Sequence, residues 1–402
     1  MNVLTYIKTH LSETIRNHTK SEGTLIGLPK PYTVPCADKA FQEMYYWDTY
    51  FTNVGLLVCG EEELARNNVE DLLYLADTYG YVPNGSRTYY LRRSQPPYLA
   101  SAVQDIYRAF ADKEWLARAY PILKKEYGFW MRERVDGDGL NRYGCKEEPA
   151  WFVQTARDAV KGRLPWQDVS DEVSAGRNIC AESESGWDFT ARFSRRCTDH
   201  EAVDLNSLLF GYERSFAFCE RELGLSDGAA WERAAQARKE KMIRMRAENG
   251  VWFDYDAKNG VRSPVVSCAS FLPYQMGLSD GEGIEYLLSA LECEHGIAAA
   301  DRQPYAYQWG FPNGWAPLHH TAVQALLRVG RRQDAFRIAR KFCTLVEENF
   351  ARTGRLWEKY NVVSGETDTV DEYEMPPMLG WTAGVYCAFY SLLKNNIEIK
   401  EY

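Results

Sequence analysis

No stretch of this chain approaches the roughly 18 consecutive apolar residues that a membrane span requires. The opening Met-Asn-Val-Leu-Thr-Tyr-Ile has no basic start followed by an apolar run, so no signal peptide is expected. The ten cysteines include no Cys-x-x-Cys and no Cys/His cluster. They are expected to be reduced, mostly buried thiols of a cytoplasmic protein, and no metal site is expected. Histidine is scarce, at six, and its single pair, His319-His320, points two ways from one helix. A basic balance is also absent. The formal charge is −9, whereas a surface that grips phosphates needs clustered Lys and Arg, so nucleic acid is not an expected partner. No Ser/Gly linker and no break in composition divides the 402 residues, and strand-like alternation is rare. One domain spanning residues 1–402 is the expectation, with the oligomeric state left open.

What the chain does have is helical periodicity and aromatic rings. Val3, Leu4, Ile7, Leu11 and Ile15 make one apolar stripe, and Leu205, Leu208, Leu209, Tyr212 and Phe216 another. About a dozen helices are expected. They include stretches near Thr49 to Cys59, Glu62 to Thr78, Pro317 to Val329, Arg332 to Phe350 and Trp381 to Lys394. Long loops rich in Gly, Pro, Asn and Trp separate them, notably Gly80 to Pro97, Glu182 to Phe193, Gln308 to Pro317 and Leu356 to Gly380. Loops of that length inside a compact chain tend to carry function. Two segments echo each other, Trp252-Phe253-Asp254-Tyr255 and Trp357-Glu358-Lys359-Tyr360, each after a Gly turn. Recurring helix pairs with similar connections fit a toroid of helical hairpins. Trp, Tyr and Phe make up 14% of the chain. Their flat apolar faces and polar tips suit the faces and edges of a sugar, although a tyrosine-rich core would give the same composition.

Five segments concentrate chemistry. Glu184-Ser185-Gly186-Trp187-Asp188-Phe189 sets a carboxyl beside an indole after a turn-forming Gly. Packing against the indole would raise the Asp188 pKa and let it protonate a leaving oxygen. An Asp that merely caps a helix is the plainer reading of that position alone. Tyr45-Tyr46-Trp47-Asp48-Thr49-Tyr50-Phe51 holds a carboxylate among rings. Pro83-Asn84-Gly85-Ser86-Arg87-Thr88-Tyr89-Tyr90, continuing to Arg93-Ser94-Gln95-Pro96-Pro97, gathers Asn, Arg and Gln on a proline-stiffened loop. Gln308-Trp309-Gly310-Phe311-Pro312-Asn313-Gly314-Trp315 brings two tryptophans that are costly to expose. Glu372-Tyr373-Glu374 supplies a second carboxylate far along the chain from Asp188, as an inverting glycosidase needs.

Together these segments closely resemble the α,α-trehalase family, glycoside hydrolase family 37, over about residues 30 to 390. The resemblance implies an all-α fold, an (α/α)6 toroid with long loops on the active face. It implies hydrolysis of an α-glucoside with inversion, most simply α,α-trehalose, a small-molecule sugar substrate and no cofactor. Asp188 would be the general acid and Glu372 the general base, with Glu374 as fallback. Phe41, Tyr46, Trp47, Asp48, Asn84, Arg93, Gln95, Gly186, Trp309 and Trp381 would bind substrate. Three departures stand out. Ala40 replaces the family's arginine before Phe41. The family's Arg-Pro-Glu segment ahead of the acid has only Glu147-Glu148-Pro149-Ala150 as its nearest match, without the arginine. An acidic stretch, Gly365 to Asp371, replaces a glycine run. These bear on the leaving group, so an α-glucosidase of the same fold acting on another α-glucoside is the alternative reading. A sugar-binding relative without catalysis is a further alternative. A sugar epimerase would use histidines, and none lies in the matched segments.

Overall fold

The computed structural model describes residues 1–164, 170–304 and 307–395. Six helices close a ring: Tyr46–Cys59, Leu99–Phe110, Val203–Glu222, Leu272–Gln275, Ala316–Arg328 and Trp381–Asn395. Each packs on the next, and the last packs back on the first. Their sequences explain the position. Tyr46–Cys59 and Ala316–Arg328 bury residues on every side rather than on one stripe, as an inner helix must. Glu62–Tyr79, Lys113–Glu133, Ala229–Met242 and Arg332–Thr353 each bury one stripe and lie against the ring from outside. This is the expected (α/α)6 toroid.

The ring closes where Tyr46–Cys59 meets Trp381–Asn395. A Cβ on Gly384 would lie 2.1 Å from Phe51 O, so only glycine allows this approach. The inner helices start on one face. Asp48, Leu99, Asp204, Ala316 and Trp381 all sit in first turns there. The strand Asn313–Trp315 pairs antiparallel with Lys359–Asn361 on the same face, with Trp315 opposite Lys359.

Two further helices were not among those expected. Pro149–Lys161 packs against Glu172–Glu184, and the crossing is so tight that a Cβ on Gly176 would meet Phe152 O at 1.9 Å. The stripe from Val3 to Ile15 is helical only to His10, followed by a 3-10 turn and a short strand. The expectation of reduced cysteines needs correction as well. Cys145 and Cys180 form a disulfide, with Cα atoms 5.9 Å apart, which ties the chain before Pro149 to Glu172–Glu184. The other eight cysteines are free. Among the described residues no helix is long and apolar enough to cross a membrane.

Candidate active site

The floor of the active face is a cluster of tryptophans. Trp309 stacks on Trp315 with centroids 3.8 Å apart and planes within 3°. Trp47 and Trp187 flank Trp309 at 5.4 and 5.5 Å, and Trp381 meets Trp47, Trp309 and Trp315 edge-on. Hydrogen bonds fix the loops that carry these rings. Trp315 Nε1 and Asn313 Nδ2 both donate to the Gln308 carbonyl. Trp309 N donates to Phe189 O, joining this segment to the one that bears Asp188. Arg192 lies 4.5 Å from the Trp187 ring and is itself held by Asp204 and Asp254 at 2.8–3.0 Å. Gly186 has φ of 75°, and a Cβ there would lie 2.8 Å from the Trp47 ring. A bulkier residue would therefore push Asp188 off this floor.

Four carboxyl groups gather over the rings: Asp48, Asp188, Glu358 and Glu372. Asp48 is nearly buried in the first turn of its helix. Burial lifts its pKa to about 8, and the charges of Glu358 and Asp188 push the same way. The Asp188 side chain is 31% exposed and accepts a 2.8 Å bond from Arg163 Nη1. Its backbone carbonyl accepts from Gln308 Nε2 at 2.6 Å and from Arg163 Nη2. Arg163 Nε also donates to Glu372 Oε2 at 2.9 Å. Glu372 is 7% exposed, and its pKa is raised to about 7 by burial, against the opposing pull of Arg163. One guanidinium thus holds both carboxylates. Two hydrogen bonds and the width of that fork place the bonded oxygens within roughly 8 Å of each other. Glu358 lies behind them, 3% exposed, bonded to Lys359 Nζ at 3.0 Å and to Tyr373 OH at 2.7 Å. Burial raises its pKa, and Asp188 adds to the rise while Lys359 opposes it.

The residues expected to bind sugar divide into three groups. Asn84 Oδ1 accepts from Arg93 Nε at 2.9 Å, and Gln95 Oε1 accepts from Trp47 N at 3.2 Å, so the loop holds the aromatic segment. Glu184 anchors that loop by accepting from Ser94 N at 2.8 Å while Arg134 grips it in a fork. Phe41 lies edge-on to Tyr45 and Tyr373, above the site. Tyr46 is placed elsewhere. Its hydroxyl donates to Glu126 at 2.6 Å, accepts from Leu99 N and is buried in the ring's interior. Glu374 is exposed. The Trp187 ring is engaged by Trp309 and Arg192, and it is an arginine that holds the Asp188 carboxylate.

Sequence reading missed Arg163 and Glu358. An arginine does reach the acid from earlier in the chain: Arg163, two residues past the end of Pro149–Lys161. It is delivered by a helix pair that the sequence reading did not name. Glu358 was visible only as part of the echo between Trp252–Tyr255 and Trp357–Tyr360. Both segments do lead into short strands. The acidic stretch spends its charge locally. Glu366 pairs with Arg352 at 2.8 Å, and Asp371 with Lys359 at 2.9 Å.

A ring of helices whose starting turns surround carboxylates over an aromatic floor defines a glycoside hydrolase of the (α/α)6 class. The family model described as "Trehalase" matches residues 3–394, and the chain belongs to the trehalase family. The periplasmic trehalase of Xanthomonas axonopodis pv. citri is 34% identical over 92% of this chain and 69% of its own length. That of Pseudomonas aeruginosa is 35% identical over 91% and 71%. Among solved structures, the neutral trehalase of Saccharomyces cerevisiae superposes with a TM-score of 0.77 at 27% identity, covering 92% of this chain and 76% of that one. A Thermus thermophilus mannosylglycerate hydrolase of glycoside hydrolase family 63 shares the fold, with a TM-score of 0.66 at 17% identity over 96% of this chain and all of that one. The expectation of a cytoplasmic protein is overturned by these relatives, because several that match over most of the chain are named periplasmic.

Proposed function

We propose that this glycoside hydrolase cleaves α,α-trehalose by single displacement, with Asp188 as general acid. The arrangement that carries the reading is Asp48, Asp188, Glu358 and Glu372 gathered over the tryptophan floor, with one arginine spanning two of them. Asp188, when protonated, gives its proton to the glycosidic oxygen as the C1–O bond breaks. A water deprotonated on the opposite face of the ring forms the new bond to C1. The attacked glucose leaves as the β-anomer and the other glucose as the α-anomer. Asp48, Asn84, Arg93 and Gln95 bind ring hydroxyls, and Trp47, Trp309 and Trp381 supply apolar faces.

Glu372 is the base that the family resemblance implies. A second reading is favoured by one observation: Asp188 and Glu372 share a single guanidinium, which sets them side by side. An inverting base must stand across the sugar from the acid. Glu358 is buried, held from behind by Lys359 and Tyr373, and sensed electrostatically by both Asp48 and Asp188. Glu358→Gln and Glu372→Gln separate the two. Azide can attack from the side of a missing base, so β-glucosyl azide should form with the variant that lacks the true base. Formation with neither variant, or α- and β-glucose failing to appear in equal initial amounts by proton NMR, rejects the inverting scheme.

Arg163 restores an arginine beside the acid, and the acidic stretch is paired internally. Both support trehalose over another α-glucoside. A comparison of kcat/KM across trehalose, kojibiose, nigerose and maltose tests this. Another sugar leading by more than about tenfold, roughly 1.4 kcal/mol of transition-state preference, rejects trehalose as the substrate. We further propose that residues 1–402 form one catalytic domain, supported by a core cluster running from Val3 to Leu392. The net charge of −9 supports the absence of a nucleic-acid partner.

A further inference from the structure

The seam that closes the ring holds two cysteines that catalysis does not use. Tyr46–Cys59 and Trp381–Asn395 run parallel, since both start on the active face. Where they press together, a Cβ on Gly55 would lie 2.4 Å from Gly384 Cα. One helical turn further along, four residues after Gly55 and three after Gly384, stand Cys59 and Cys387. This register sets the two thiols on facing sides of the seam, where they sense each other electrostatically. Both line a cavity of about 190 Å³ that Ile7, Lys8 and Leu11 also border. Cys387 is 4% exposed, whereas Cys59 is half-buried and can be reached from solvent.

We propose that Cys59 and Cys387 are a redox-active thiol pair that small-molecule disulfides close into a crosslink across the seam, with Cys59 as the attacking sulfur. Cys59 is the more exposed of the two, and the neighbouring Cys387 thiol and the Lys8 ammonium lower its pKa, against burial and Glu61. The Cys59 thiolate attacks one sulfur of the small disulfide and expels one small thiolate. Cys387 then gives up its proton and attacks Cys59 Sγ, expelling the second half. Two protein thiols are oxidised and one small disulfide is reduced to two thiols, which carry away the two protons. The bond joins the first and last helices of the inner ring, whose starting turns hold Asp48 and Trp381.

Folded protein treated with oxidised glutathione, then mapped by mass spectrometry without reduction, tests this. The peptide containing Cys59 should be linked to that containing Cys387, and dithiothreitol should reverse the link. Cys387→Ser should leave glutathione on Cys59, and Cys59→Ser should leave Cys387 unmodified. In wild type, Cys59 should be lost at least ~10-fold faster than Cys293, the other half-buried free thiol, because a thiolate is the reacting form. Glutathione persisting on Cys59 in wild type, or Cys293 reacting first, overturns the proposal.

Discussion

Replacing Arg163 by alanine should impair catalysis far more than stability. The side chain donates to Asp188 Oδ2 at 2.8 Å, to Glu372 Oε2 at 2.9 Å and to the Asp188 carbonyl. Hydrogen bonds to charged groups are worth about 1.5–3 kcal/mol each when sheltered. Arg163 and Asp188 are 30% and 31% exposed, however, and solvent reduces such pairs toward ~1 kcal/mol or less. The structure therefore supports a loss of about 2 kcal/mol of acid alignment, roughly 30-fold in kcat/KM. The melting temperature should change little. Arg163→Lys should recover only a small part, since an ammonium is a point charge and cannot span two carboxylates as a fork does. Arg163 also opposes the upward shift of Glu372, so its removal should carry that group above about 7. The limb of the pH–rate profile that depends on Glu372 should move to higher pH. The assay is initial glucose release from trehalose between pH 5 and 9, with thermal melts alongside. An alanine variant within threefold of wild type, with an unmoved profile, would refute the reasoning.

Asp188→Asn should lower turnover on the order of 100-fold or more, measured by glucose release, with folding intact by circular dichroism. Asp48→Asn should also lose turnover, yet its stability relative to wild type should rise between pH 4 and 8. The Asp48 pKa is raised to about 8 in the fold, so the native state keeps a proton that the unfolded chain sheds, and wild-type stability falls across that window. Parallel melting curves at pH 4.5 and pH 8 check this, and an unchanged difference between the two proteins would contradict it. Gly186→Ala should cost about 1–3 kcal/mol in denaturant unfolding, because the residue has a positive φ and would press on Trp47. Serine at Cys145 should lower the melting temperature of oxidised protein and leave the fully reduced protein unchanged.

What could be read from the sequence follows from how each residue works. Asp48 and Asp188 stand among tryptophans and glycines, combinations that packing alone rarely calls for, so they stood out as candidates, and the fold does bring them to one face. Five of the six inner helices were visible because apolar residues recur along them, while the short Leu272–Gln275 was not. Tyr46 was misplaced because its neighbours on one helix turn face opposite ways: Trp47 joins the aromatic floor while Tyr46 satisfies the buried Glu126. Arg163 looks like any surface arginine. Its role appears only when Pro149–Lys161, which buries the short stripe Phe152, Ala156 and Ala159, crosses Glu172–Glu184 at Gly176 and brings the arginine to Asp188. Glu358 was masked by its neighbour Lys359, which makes the pair look like an ordinary solvated dipeptide. In the fold Lys359 is completely buried, held over Trp315 by strand pairing, and its charge is what makes a buried Glu358 tolerable. A carboxylate stabilised in this way stays poised among other acids without a bound ligand. The case for Glu358 as an alternative to Glu372 therefore rests on the strand register Trp315↔Lys359 as well as on its place among the acids. A variant that weakens that pairing should impair turnover without touching a single group that contacts the sugar.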